Sequence, residues 1–562
     1  MRYELRLMDT VSGVGCFAAH PGPNLSFNEM LDHLRAQPLD DFMHQHLLAK
    51  LGEHRTKKVE KLMDEACRDG VVTDPVLAAL LYEACLGHER LAHLLPRMAR
   101  CDAEALSAHT PALHLRSHIL PDQPLHNAWT MLMQRNIVGH EPLPAPETLD
   151  LAEPYARESL PGPAITAAEI RARLAPGLPE PKPRRPAAET CAHALERLTA
   201  KNVFLGPEMA HKACLSPKAL LRHWMVDVSI KSGRMAYTLS GLQTSYGRGL
   251  DLDSARASYA MEVAERVSSY ASLGQRAISG LAFECPVTRG AQAELAGQNA
   301  LDLSRLRLEA PYRGQTLHWM PAQERTATGI APALIPVQLV YLFANLDEQS
   351  LVSALGSTGL ASGNTLEEAK VHALCEVIER DAEAVTPFAL SRCFRLEAAD
   401  ERVAKLLADI EACGMSVWFM DCTPEFGVPC YKAILTGRHG DVNKGMGAGL
   451  CGPRALVSAL TEIPYPYPGP ASAPAPEGLP VRRLEDLPDF STGSAEGDLL
   501  VLEETLLANG LKPVYAELTR RDLGIPVVRA LVPGLEMLGD FDRFSRLPPR
   551  LYANYLRHFG RS

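Results

Sequence analysis

One spacing of charged residues constrains this chain more than any other feature, because it recurs. SYAMEVAER supplies Ser258, Glu262, Glu265 and Arg266; HALCEVIER supplies His372, Glu376, Glu379 and Arg380. Both read X-x3-E-x2-E-R. Steps of four and three residues keep such groups on one face of a helix, within roughly 100° of arc. The opposite face is apolar in each case, with Ala260, Val263, Ala264 and Val267 in the first and Leu374, Val377 and Ile378 in the second. Each helix therefore packs on a sheet while presenting two carboxylates. Both also have start signals: Asp251 or Asp253 caps the first after the turn YGRGLDLD, and Thr365 with Glu368 forms a capping-box pair for the second.

Two glutamates one turn apart repel by a few tenths of a kcal/mol on an exposed helix. Four brought face to face repel far more, and a hard divalent cation offsets that cost, since carboxylates, water and substrate phosphates are the usual Mg²⁺ environment. If the helices converge, they form a carboxylate cage for a metal nucleotide. The competing reading is a solvated face on which each Arg pairs with a preceding Glu. A third, altered copy lies in ALVSALTEIPYPYP: Ser458 and Glu462 keep the four-residue step, Tyr465 replaces the second glutamate, and Pro464 ends the helix.

Composition bounds the rest. The 562 residues carry 57 basic and 67 acidic side chains, a formal charge of −10, with 46% hydrophobic and 22% charged residues, which excludes wholesale disorder. The opening MRYELRLMDT lacks the apolar stretch of a signal peptide, and no apolar run approaches the roughly 20 residues that span a bilayer. A cytoplasmic protein with no membrane partner is expected. Thirteen cysteines without a CxxC pair suit reduced thiols. No dense Lys/Arg block offers a footprint for nucleic acid; the one basic knot, PKPRR at 181–185, is expected to be solvated linker.

Proline sets the domain boundaries. Eleven prolines between Glu141 and Pro186 suit an extended connector, so the chain divides into a mainly helical domain (1–140), a Pro-rich linker (141–190) and a larger domain (191–562). The first piece has a strand candidate at Tyr3–Met8 and helical periodicity through Phe27–Leu51, Lys57–Cys67 and Pro75–Met98. Its histidines (His44, His46, His54, His88, His93) lack HExxH or paired carboxylates and are expected on helix surfaces. In the larger piece, strand candidates at Val337–Phe343, Ser416–Phe419, Lys512–Glu517 and Pro526–Val532 alternate with helices such as Leu499–Asn509. That is an α+β signature. A second proline cluster, Pro464–Pro480, reads as a loop within this domain, and KGMGAGL at 444–450 as a glycine turn near phosphate. Cys191 and His193, two apart, do not face each other on a helix.

The chain resembles the YcaO-domain superfamily of ATP-using enzymes. Its hallmark Sx3ExxER stands intact as Ser258 to Arg266, after GRG at 247–249 where the family has GKG. A second hallmark is matched by STGLASGNTLEEAKVHALCEVIERDA, and further likeness lies in ALVSALTE and DLGIPVVRALVPGLE. The likeness covers about residues 200–545. It implies an α+β YcaO-type domain with mixed sheets and packed helices; the small, mainly helical domain that precedes it lies outside the likeness. The likeness also implies ATP and Mg²⁺ as cofactors, with Glu262, Glu265, Glu376 and Glu379 on the metal. Arg248 (for the family's lysine), Ser258, His372 (for the family's amide side chain) and Arg380 stand on the nucleotide side.

The family phosphorylates a peptide amide oxygen, after which a thiol, hydroxyl or sulfide yields an azoline or thioamide. A peptide or protein substrate is thus implied, with a TfuA-like or methylthiotransferase partner (one branch being ribosomal protein S12 methylthiotransferase accessory factors) and a homodimer. The chain's last residues, NYLRHFGRS, lack the PxPxP tail of many azoline-forming members, and no second catalytic domain is evident. The alternative is a nucleotide-binding scaffold without turnover, suggested by His372 and the altered third helix.

Overall fold

The computed structural model describes residues 1–8, 16–23, 25–68, 71–353, 355–537 and 541–560; the side chain of Cys16 lies outside the described residues. Three larger sheets and a two-stranded ribbon carry helices on their faces. The eight-stranded sheet is built around a long hairpin of β3 (Lys218–Ser232) and β4 (Met235–Gly249). Its alternation of buried and exposed side chains along β4 follows the two-residue period of a strand with one face in the core. The amino-terminal strands β1 (Arg2–Met8) and β2 (Cys16–Pro21) join this sheet, β1 parallel to β4 through Arg2 to Glu4 against Thr238 to Ser240.

The helices that follow, Phe27–Ala36, Asp41–Glu53, Thr56–Ala66 and Pro75–Gly87, share one apolar core with the sheet: Leu34, Met43 and Leu80 belong with Trp224, Leu239 and Val263. The expected histidine exposure fails at His44. It is 1% exposed and lies 2.8 Å from Glu83, because the helix Pro75–Gly87 is apolar all round and its one carboxylate needs a partner inside the core.

The six-stranded sheet holds β5 (Leu317–Thr326), β6 (Gly329–Pro336), β7 (Leu360–Ser362), β9 (Val514–Glu517) and β10 (Val527–Leu531). The five-stranded sheet ends on β8 (Val442–Ala448). The expected strand at Val337–Phe343 is instead a 3-10 turn at Val337–Leu339 running into irregular chain. Val337, Leu339 and Val340 are all buried, and a short buried apolar run has the same hydrophobicity whether or not it is extended.

The proline-rich stretch is extended, yet it packs. Trp129 donates to the carbonyl of Ala152, and a helix at Ala167–Leu174, capped by Thr166, buries Ile170. Nor is PKPRR free in solvent: Arg184 donates to Asp498 at 3.0 Å and lies 3.1 Å from the His372 ring.

Four helices build the centre: α1 (Leu252–Ser268), α2 (Leu366–Val385), α3 (Gly452–Glu462) and α4 (Pro549–His558). Two of them lie directly on strand glycines. A Cβ on Gly247 of β4 would stand 2.2 Å from the carbonyl oxygen of Ala255 in α1, and one on Gly447 of β8 would stand 2.0 Å from that of Ala455 in α3. Gly445 and Gly447 of KGMGAGL therefore serve strand-to-helix contact, and the stretch expected as a glycine turn is strand as far as Ala448. Gly447→Ala is expected to destabilise the protein by about 3 kcal/mol, while Gly297→Ala, where a Cβ meets open space, leaves the thermal midpoint unchanged; equal midpoints for both variants would refute the contact.

Candidate functional site

Capping fixes where each acidic row begins. Asp251 caps α1, its carboxylate accepting from Ser254 N at 2.8 Å. Thr365 caps α2 and accepts from Glu368 N at 3.2 Å. The reciprocal half of the expected capping box is displaced by one residue, since Glu368 accepts from the backbone and side chain of Asn364. With α1 seated on Gly247 and Gly249, and α2 seated on Gly363, the apolar faces turn to the sheets. Ala260, Val263 and Ala264 are buried in one core, and Leu374, Val377 and Ile378 in another.

The polar faces converge. Glu376 of α2 feels the charge of Glu265 on α1; Glu379 feels Glu462 at the end of α3; Glu262 feels Glu462 as well. Carboxylates from three helices thus share one region, and the altered third copy contributes its single glutamate. Gly447, Ser458 and Glu462 follow one another at the same sequence steps as Gly247, Ser258 and Glu262, so strand, close helix contact and carboxylate are repeated as a unit. The side chains of Glu265 and Glu379 are 14% exposed, those of Glu262 and Glu462 about twice that. They line a recess that solvent reaches.

Lost hydration is the main cause that raises the pKa of Glu262, Glu265, Glu376 and Glu379. Mutual repulsion adds to it, acting on Glu265 from Glu262, on Glu376 from Glu265, and on Glu379 from Glu462 and Glu376. Arginines oppose this. Arg266 pairs with Glu265 at 2.9 Å and lies 3.7 Å from Glu262; Arg380 lies 3.9 Å from Glu379 and 3.7 Å from Glu383; Arg248 reaches Glu462 at 3.0 Å. Among the described residues Glu376 has no ion-pair partner within 4 Å, although Arg380, Arg266 and Arg529 act on it from farther away.

Of the residues singled out from sequence, the four glutamates, Arg248 and Arg380 are brought together. Ser258 lies exposed on α1, one turn before Glu262. His372 is exposed one turn before Glu376 and is turned to Arg184, with Nδ1 3.3 Å from the Ser362 carbonyl. Sequence reasoning passed over Arg529 on β10, 1% exposed, whose Nη1 donates to the Gly356 carbonyl while Nε and Nη2 have no partner. A charged residue in the otherwise apolar run PVVRALV was its signal. Also missed was Lys444, which pairs with Glu383.

Among the described residues, no three His, Cys, Asp or Glu side chains are gathered closely enough to hold a metal ion by themselves; the cage is not preassembled. The donor set still fits Mg²⁺. That ion keeps several waters and binds through one or two carboxylates plus phosphate oxygens, not through an all-protein shell. A recess of desolvated, mutually repelling carboxylates with one unpaired member supplies hard oxygen donors and a deficit of positive charge.

A second constellation has catalytic spacing but no access. Ser232 Oγ lies 2.7 Å from His318 Nε2, and His318 Nδ1 lies 2.6 Å from Glu348. All three residues are at most 5% exposed, so no substrate carbonyl can approach the hydroxyl. The network ties β3 and β5 to the chain after residue 340.

A family model described as YcaO cyclodehydratase, ATP- and Mg²⁺-binding, matches residues 246–464 and 467–536, more than half of the chain. An uncharacterised protein of Methanothermobacter thermautotrophicus is 28% identical over 337 residues, 53% of this chain and 84% of its own. A Rhizobium leguminosarum bv. trifolii protein, described as uncharacterised in the tfuA 3′ region, is 28% identical over 257 residues, 42% of this chain and 57% of its own. A solved heterocyclase in complex with substrate and cofactor aligns with a TM-score of 0.50 at 16% identity, over 69% of this chain and 59% of the heterocyclase, and so shares the fold.

The far end of α2 is pinned by α4. Asp381, fully buried, pairs with Arg550 and accepts from Glu536 N at 2.8 Å, and the same guanidinium holds Glu425 at 2.7 Å. Arg550→Ala leaves a buried carboxylate without its cation, and is expected to lower stability by about 3–5 kcal/mol in urea denaturation. An unchanged midpoint would mean that Asp381 is solvated.

Proposed function

The chain belongs to the YcaO family, whose members bind ATP and Mg²⁺, and on that premise we propose that it activates a backbone amide in a peptide or protein substrate at the recess between α1, α2 and α3. The observation that carries this reading is the confrontation of Glu265 with Glu376 and of Glu379 with Glu462. Glu262 and Glu265 from one side, and Glu376 and Glu379 from the other, would hold Mg²⁺. When bound, Mg·ATP supplies the phosphoryl group that turns the amide oxygen into a phosphate leaving group.

The chain's part is electrostatic and positional. Arg248, beside Glu462, and Arg380, beside Glu379, would steady the phosphoryl oxygens of a bound nucleotide. Arg266 keeps Glu262 and Glu265 in place. The Ser258 hydroxyl, on the turn before Glu262, is free to donate to a phosphate, and His372 occupies the corresponding turn of α2. With hydrosulfide as nucleophile, a C–S bond would form, the C–O bond would break with phosphate as the leaving group, and the sulfur's proton would pass to solvent to leave C=S. An external sulfide giving a thioamide is favoured over an internal side chain, supported by the relative described as lying in a tfuA 3′ region.

Glu376→Gln removes the unpaired carboxylate and is expected to cut ATP hydrolysis at least about a hundredfold, with circular dichroism unchanged. With ATP, sulfide and a substrate peptide, intact-mass analysis should show an amide oxygen replaced by sulfur. Loss of water instead would indicate an azoline. Nucleotide binding without phosphate release across substrates would favour a scaffold over an enzyme.

A further inference from the structure

The flank of α2 turned away from Glu379 carries a different feature. There the first two turns of the helix stand over an open face of the six-stranded sheet and leave a groove of about 460 Å³. Pro321 and Gln323 of β5, Ile330 and Pro332 of β6, and Tyr515 of β9 line its floor. The register places Gln323 opposite both Pro332 and Tyr515, so these side chains share one face. Leu366 and Lys370 of α2 form a wall.

Lys370 is the anomaly. It is 9% exposed, and its ammonium sits 4.7 Å from the centre of the Tyr515 ring. Among the described residues it has no ion pair or hydrogen bond. The nearby Glu503 cannot serve it: Glu503 accepts from the Tyr515 hydroxyl at 2.9 Å and pairs with Arg325 at 2.8 Å. A cation over an aromatic face gains some attraction, and the ammonium, which faces the groove, has no anion in contact. The groove therefore presents one ammonium without an anion in contact, among apolar side chains, Gln323 and the Glu517 carboxylate.

We propose that this groove binds the carboxyl-terminal end of a peptide with an apolar last residue, its terminal carboxylate on Lys370. A single ammonium suits a monoanion better than a phosphate dianion, because no cluster of further donors accompanies it. Gln323 and Glu517 also line the groove, and offer an amide and an acceptor to the backbone N–H groups of a peptide; a fatty acid has none to answer them. The exposed Ile330 and the ring of Phe283 give the last side chain an apolar bed. The site lies on the other flank of α2 from the acidic recess and does not depend on the nucleotide reading.

Calorimetric titration of the full-length, nucleotide-free protein tests this, using N-acetyl tripeptides with free carboxylates that end in leucine, valine or phenylalanine. At least one should bind saturably, its carboxamide counterpart about tenfold or more weakly, and Lys370→Met should abolish binding with its thermal midpoint kept. Lys370→Arg, which retains the charge, should keep part of the affinity. The proposal is overturned if none of the free acids binds or if acid and amide bind alike. Undiminished binding to Lys370→Met refutes it too, as does preference for decanoate or for a C-terminally amidated peptide with an internal aspartate.

Discussion

Repulsion between carboxylates is the constraint around which this molecule is arranged. Left to itself, a row of glutamates on α1 would move away from the row on α2, and Glu462 would move away from both. The fold denies them that freedom through contacts distant from the charges. Glycines at 247, 249, 363 and 447 press strands and turns onto the helices with no room for a side chain. The buried pair of Arg550 and Asp381 fixes the end of α2. The arginines soften the repulsion without removing it, since each shares its charge between neighbours and Glu376 is left without a contact partner. Such a recess is a standing demand for positive charge, and rigid elements that maintain the demand are what a metal-nucleotide site requires.

How far this was legible in the sequence depends on the range of the interaction. The rows of α1 and α2, their apolar backs and the capping roles of Asp251 and Thr365 follow from steps of three and four residues, and the helices formed as those steps dictate. The boundaries of β9 and β10 were likewise close to the apolar runs that marked them. What the steps could not supply was the approach of one row to the other, because that is set by strands more than a hundred residues apart. The family resemblance, not the periodicity, carried that expectation.

The misses share a cause. His44 reads as a polar helix-surface residue until Glu83 is known to lie inside the same core. Arg184 reads as a solvated linker charge until Asp498 and His372 are placed beside it. Val337–Phe343 reads as a strand because burial and extension leave the same mark on composition. Lys370 interrupts the buried face of α2, and periodicity alone would assign its position to an apolar residue. In each case a single residue type is ambiguous, and only a partner remote in sequence resolves it.

The comparison between the acidic recess and the sealed Ser232–His318–Glu348 network shows why spacing is not enough to assign chemistry. The network is closed by hydrogen bonds of 2.7 and 2.6 Å, and its groups are already in a relay. Its needs are internal: the Glu348 carboxylate is answered by the His318 ring, by the His318 backbone N–H and by Gln338, so nothing is left over for a ligand. The recess is the reverse case, open to solvent and electrostatically incomplete. A site declares itself by unsatisfied groups that a partner can reach, and the acidic flank of α2, where Glu376 has no ion-pair partner among the described residues, meets that criterion as the sealed network does not.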